Sequence, residues 1–280
     1  MGRPQGDGAH PLSTYGSASP HPGPRRAIVI VVSPLAGVLD ALLPDSCVGC
    51  AAPGAALCRR CVEDLQRDPP RRCDPTPRPR GLPPVIAAGP YAGTLRIALL
   101  SYKERGRTRL AEPLAGLLAA AVLTAVLAEG NDAAQPMVIV GVPSTRRARR
   151  ERGHDHVDTL AVAAVAALRA VGVPAVRVRA LKHRGPVLDS AGLSAAERAH
   201  NAGGAFVVRR RARALLAGRT VLVVDDIVTT GSTAAAVCAA LETAGARVIA
   251  VAAVAATVRR LLVTEPSSAG AASPRAAPSS

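Results

Sequence analysis

From Pro84 onward, the apolar positions of this 280-residue chain form an alternating series of strand-like and helix-like stretches. Residues 221–224 are continuously apolar and β-branched rather than alternating, the pattern of a strand buried on both faces. Further strands are expected at 137–142, near 176–181, at 205–208 and near 247–253. Helical spacing covers 95–104, 110–127 and 155–170, the last closed by Gly172 and Pro174, with a short helix at 194–201. A final helix at 232–244 starts among Ser and Thr residues and stops at Gly245. Such alternation predicts an α/β fold with an open parallel sheet and helices on both faces. In sheets of this kind ligands sit at the carboxyl ends of the strands. No internal repeat is present.

Composition sets the boundaries. Residues 1–26 and 265–280 are rich in Gly, Pro and Ser and read as disordered tails. Between them lie a short helix with a Cys-rich module at 27–80 and the α/β domain at 84–260. Arg25 and Arg26 before an apolar run resemble the opening of a signal peptide, but Pro34, Gly37 and Asp40 interrupt it. A helix near 35–43 is the expectation and export the alternative. Residues 114–128 are apolar but too short and Ala-rich for a membrane span, so the chain reads as soluble and cytoplasmic. The hydrophobic share is 49% and the aromatic share 1%, so the core must be built from Ala, Val and Leu. A net charge of +15, almost all Arg, suits nucleic acid or a phosphorylated substrate equally, and biased coding composition would also produce it. The lack of aromatics removes the stacking platforms of single-strand binders.

The richest stretch is 221–233, Val-Leu-Val-Val-Asp-Asp-Ile-Val-Thr-Thr-Gly-Ser-Thr. It delivers a buried strand to a helix N-terminus, where unpartnered N–H groups and the dipole favour an anion. Thr229, Thr230, Ser232 and Thr233 add hydroxyl donors, and Gly231 lets the backbone approach a phosphate. Asp225 and Asp226 point to opposite faces of the strand, which argues against a proton-sharing pair. Sugar hydroxyls or a Mg²⁺ shell fit them better. The plainer alternative is a strand, turn and helix whose acids only cap the helix. The pattern lacks the lysine of a P-loop.

Two further constellations carry chemistry. The pairs Cys47/Cys50 and Cys58/Cys61 are two CxxC knuckles that can clamp a tetrahedral Zn²⁺, with a disulfide or free thiols as alternatives. Cys73 has no evident partner, and Cys238 shares a helical face with Ala234, Leu241 and Ala244 and reads as core. The strand at 137–142 ends in a Pro143 turn bearing Ser144, Arg146 and Arg147, then an Arg-rich stretch to His154. This turn suits a second anion, and the Arg-rich stretch suits a closing flap; a solvated basic loop is the alternative.

The 221–233 loop resembles the 5-phosphoribosyl-1-pyrophosphate (PRPP) loop of type I phosphoribosyltransferases. With the paired CxxC, segment 102–106 (Tyr-Lys-Glu-Arg-Gly), Val142-Pro-Ser144, Arg152-Gly-His154 and stretch 193–201, the chain resembles the ComF family over about residues 47–257. That family joins an N-terminal Cys₄ zinc ribbon to a type I phosphoribosyltransferase domain. The resemblance implies that Thr229, Thr230, Gly231, Ser232 and Thr233 bind the 5-phosphate and that Asp225 and Asp226 hold the ribose hydroxyls as catalytic residues. It also implies that Ser144, Arg146 and Arg147 face pyrophosphate, with Mg²⁺ held mostly by substrate oxygens and a structural Zn²⁺ on the four cysteines. Asp189-Ser190 departs from the family pattern, where a Gln-containing turn is expected, and this bears on acceptor recognition. The family is linked to DNA uptake in competence. Two readings follow: a transferase releasing pyrophosphate, or a non-catalytic module that senses PRPP and contacts single-stranded DNA or a helicase. The acceptor and the oligomeric state stay open.

Overall fold

The structure, a computed structural model, describes residues 46–130, 136–145, 148, 150, 155–184 and 205–257. The expected tails, the helices at 35–43 and 194–201, Arg146, Arg147, the 152–154 segment and the Asp189-Ser190 turn lie outside the described residues.

The Val-rich run at 221–224 lies in β7 (Thr220–Val228), flanked on both sides and buried almost throughout. Its neighbours are β3 (Met137–Gly141) and β8 (Arg247–Ala256), both parallel to it. Outward from these lie β4 (Ala175–Arg177) beside β3 and β2 (Val85–Pro90) beside β8, also parallel. A two-residue β1 (Arg71–Arg72) closes the edge antiparallel to β2, giving the order β1-β2-β8-β7-β3-β4. The predicted parallel sheet is therefore present.

Helices cover both faces, because neighbouring strand residues alternate between them. Leu222 and Val224 face one core with α2 (Gly93–Glu104), α3 (Ala111–Ala128) and α4 (His156–Ala170). Val221 and Val223 face a second core with α5 (Arg210–Leu216) and α6 (Ser232–Thr243). With its preceding 3₁₀ turn, α3 spans Thr108–Ala128 and is long and apolar enough to cross a membrane. Its Leu110, Leu114, Leu118 and Val122 are instead completely buried in the first core, so it packs as a core helix.

Four local outcomes differ from the sequence pattern, the first being β2, a strand with no counterpart among those expected. The single strand expected at 176–181 is two: β4 ends the sheet, and β5 (Leu181–His183) pairs antiparallel with β6 (Phe206–Val208) in a separate ribbon. The break has a backbone cause. After Val178 N donates to Ile139 O at 2.9 Å, Ala180 N turns back onto Val178 O at 2.9 Å and redirects the chain. Helix α5 was not anticipated, since only Ala212 and Leu216 of its Arg-rich sequence are buried. β7 also runs past Val224, so Asp225 lies inside the ladder, opposite Ala253.

Candidate active site

The loop after β7 is shaped by one glycine. Thr229 and Thr230 are exposed, and Gly231 caps α6 in the left-handed region at φ 73° with no side-chain cap hydrogen bond. A β-carbon at Gly231 would stand 2.7 Å from Leu82 Cδ2 and 2.9 Å from Pro75 Cγ, so conformation and space both require glycine. Thr230 Oγ1 lies 3.2 Å from Ser232 Oγ, which gathers hydroxyls at the first turn of the helix. This end of α6 can hold an anion through its leading N–H groups and its dipole.

The segment leaning on Gly231 is itself fixed. Asp74 accepts from Val85 N at 3.0 Å and from Arg72 Nε at 2.7 Å, and Arg78 Nη2 donates to Leu82 O at 2.6 Å. Burial opposes ionisation of Asp74, but the Val85 amide and the two guanidiniums outweigh it and lower its carboxyl below the ordinary value.

Just upstream, the two acids occupy opposite environments. Asp225 is 9% and Asp226 4% exposed. Burial, reinforced by the charge of Asp226, pushes the Asp225 carboxyl well above the ordinary range. Burial opposes the charge of Asp226 too, yet His156 and Lys103 outweigh it and hold that carboxyl well below the ordinary value. Lys103 Nζ lies 2.9 Å and His156 Nε2 3.0 Å from Asp226 Oδ2, while Oδ1 accepts from Ile227 N at 2.8 Å. Neither contact on Oδ2 is aligned as a hydrogen bond.

His156 also reaches the turn after β3. Its Nδ1 lies 3.1 Å from Ser144 Oγ, and Ser144 Oγ donates to Asp155 Oδ1 at 2.8 Å. Asp155 is the N-cap of α4, accepting from Asp158 N at 3.4 Å. Tyr102 of α2 donates to His156 O at 3.1 Å, and burial pushes the Tyr102 phenol up to about 12. Beside this turn lies a cavity of about 100 Å³ lined by Ser144, Asp155, Asp158, Arg179, Lys182 and Arg209 among others. The structure thus brings Ser144, Asp225, Asp226 and the Gly231 loop to the carboxyl edge of adjacent strands β3 and β7. Sequence reasoning assigned no role to Lys103, Asp155 or His156. Lys103 lay in a quoted motif, but nothing in its spacing named Asp226 as its partner.

The other constellation is distant in kind. The Sγ atoms of Cys47, Cys50, Cys58 and Cys61 all lie within 4.8 Å of one another, and the group could hold a metal ion. Burial resists ionisation of Cys47, but amide donors from Cys58, Cys50 and Gly49 overcome it and lower its thiol to about 6. Burial and the crowding of neighbouring thiols raise Cys61. Four sulfurs in this space, with amides aimed at one of them, suit a soft tetrahedral cation. All six cysteines are free in the structure. Cys238 is completely buried in the second core, and burial raises its thiol to about 12, as its helical spacing implied.

The sequence pattern of the phosphoribosyl transferase domain matches residues 117–269. The chain belongs to that family. The matched span of this phosphoribosyl transferase domain contains Ser144, His156, Asp225, Asp226 and the Gly231 loop, whereas β2 and Lys103 precede it. Among solved structures, the chain is similar to the crystal structure of adenine phosphoribosyltransferase (APRT) from Leishmania tarentolae. The identity is 17% and the TM-score 0.30, over 68% of this chain and 71% of that one. No curated protein matches it.

Proposed function

We propose that this phosphoribosyl transferase domain binds PRPP and transfers its phosphoribosyl group to an acceptor with release of pyrophosphate. The observation that carries the reading is β7 running through Asp225 and Asp226 into the N-terminus of α6, whose cap residue is Gly231. In this reading Thr229, Thr230, Gly231, Ser232 and Thr233 cradle the 5-phosphate, and Asp225 and Asp226 receive the ribose hydroxyls. Ser144, Arg146 and Arg147 take the pyrophosphate end. Mg²⁺, held mostly by substrate oxygens, would neutralise charge on the leaving group. The protein's part is to fix both anionic ends so that the anomeric carbon faces the acceptor, which is catalysis by positioning and electrostatics.

The unit we assign to this activity is 84–260, longer than the family match. Its support is β2, which extends the same sheet through parallel pairing with β8. The Cys₄ cluster ahead of it supports a ComF-type protein with a structural Zn²⁺, and the same resemblance carries the proposed role in DNA uptake. Calorimetry with PRPP and Mg²⁺, followed by a pyrophosphate-release screen across bases, tests the assignment. The expected result is binding that falls at least tenfold in Asp225→Asn/Asp226→Asn, with turnover on one acceptor. Unchanged affinity in the double variant overturns the ligand assignment. Binding without turnover on any acceptor would make the protein a PRPP sensor.

A further inference from the structure

We infer that His156 is a positioning residue that ties Asp226 to the Ser144 turn, so that the two ends of the cleft take up ligand as one unit. The inference rests on the proposed PRPP site and extends it to a residue outside the predicted set. Four facts carry it. His156 is 5% exposed, too buried to serve as a freely moving surface group. Its two ring nitrogens face different elements: Nδ1 meets Ser144 at the end of β3, and Nε2 meets Asp226 in β7. Its backbone carbonyl is held by Tyr102 from α2. Its neighbour Asp155 holds Ser144 from the other side.

The hydrogen-bond inventory fixes what the ring does. Ser144 has one hydroxyl proton and directs it at Asp155, a carboxylate with none to return. Ser144 Oγ therefore presents a lone pair to Nδ1, and the Asp226 carboxylate presents lone pairs to Nε2. Each ring nitrogen thus faces an oxygen on a different element. The ring lies between two acids, Asp155 reached through Ser144 and Asp226 reached directly, while Lys103 meets Asp226 from α2. A carboxylate with such partners can stay buried where an unpartnered one would be costly. A ligand that pulls on Ser144 through pyrophosphate shifts the ring, and the ring shifts the carboxylate meant for the ribose. Lys103 pairs with Asp226 from α2, and among the described residues His156 is the side chain that meets both Asp226 and Ser144.

The test uses the full chain and calorimetry with PRPP and Mg²⁺. His156→Leu keeps approximate volume and removes both ring nitrogens; His156→Gln keeps a side-chain N–H donor that can serve the oxygens of Ser144 and Asp226. The expected result is at least a tenfold loss of affinity for His156→Leu and recovery to within about threefold of wild type for His156→Gln. In His156→Leu/Ser144→Ala the combined loss should fall well short of the product of the single losses, as for residues acting through one contact. Thermal melts separate folding from function, since a purely structural role would lower Tm in both His156 variants and leave the affinity of the folded fraction unchanged. That result, or strictly multiplicative losses, overturns this inference and leaves the PRPP site standing. Failure of the wild-type protein to bind PRPP overturns both.

Discussion

At the scale of single residues, the two adjacent aspartates are opposites in charge behaviour. Asp225 has its carboxyl raised by burial and by its neighbour, so the folded state holds a proton that the unfolded chain releases near the ordinary value of about 3.9. Its contribution to stability is complete below that value and is lost as pH rises through the folded one. Asp226 runs the other way: its lowered carboxyl stabilises the fold above the ordinary value, and this is lost as pH falls through the folded one. Asp225→Asn should therefore be more stable than wild type at neutral and alkaline pH. A Tm gain of at least roughly 2–4 °C is expected at pH 8, the scale of about 1 kcal/mol in a domain of this size. The gain should vanish below about pH 4, as thermal denaturation across pH 4–9 will check. The acid pair itself was legible in the sequence, as strand residues next to a Gly-containing turn. Its neutralisation was not. Lys103 and His156 approach Asp226 from α2 and α4, and no local period connects residues so far apart in the chain.

At the scale of elements, the phosphate-type loop depends on the segment that joins β1 to β2. Pro75 and Leu82 fill the space a side chain would need at Gly231, and Asp74 with Arg78 braces that segment. Gly231→Ala should cost about 1–3 kcal/mol from its left-handed φ alone, and the clash with Leu82 adds to this. Adding Leu82→Ala removes one of the two clashing groups, so the double variant should lose less than the sum of the single losses in urea denaturation. Element type followed well from the sequence where runs were long. The helices at 95–104, 110–127, 155–170 and 232–244 and the strands at 137–142, 205–208 and 221–224 all have counterparts. The misses are β2, for which no strand was expected ahead of the helix at 95–104, and short pieces set by tertiary contacts. β4 and β5 read as one strand because 176–181 alternates Val and Arg and the turn at Val178 to Ala180 contains no Gly or Pro. α5 hides its two buried residues among arginines.

At the scale of the whole molecule, the Cys₄ module is seated on the α/β unit, because Cys47, Ala56, Leu57, Cys61 and Val62 share the first core with Leu95 and Leu99 of α2. Arg107 Nη2 donates to Ser46 O at 2.7 Å, and a β-carbon at Gly49 would stand 2.9 Å from Thr94 Cγ2, so the two parts touch closely along α2. The module has one short helix, α1 (Arg59–Leu65), and an isolated bridge between Ser46 and Pro53 to stabilise it without metal. If it carries Zn²⁺, chelation should open residues 46–66 to proteolysis while the sheet keeps its cooperative melt. Elemental analysis finding no metal in the purified chain would remove the basis for that expectation. The paired CxxC made this module visible in the sequence, whereas its seat on α2 was not.

The central strand β8 carries a different message. Ala250, Ala252, Ala253, Ala255 and Ala256 are all buried there, and α3 meets it with Ala115, Ala119 and Ala125. Methyl groups on both sides let helix and sheet backbones come close, which is how a chain with one phenylalanine and no tryptophan closes its interior. Such an interior has little to lose from truncation at these positions, since alanine is already the floor. Its vulnerability is to added carbon: a single enlargement on β8 would wedge the layers apart and spread the displacement along the strand towards Asp225.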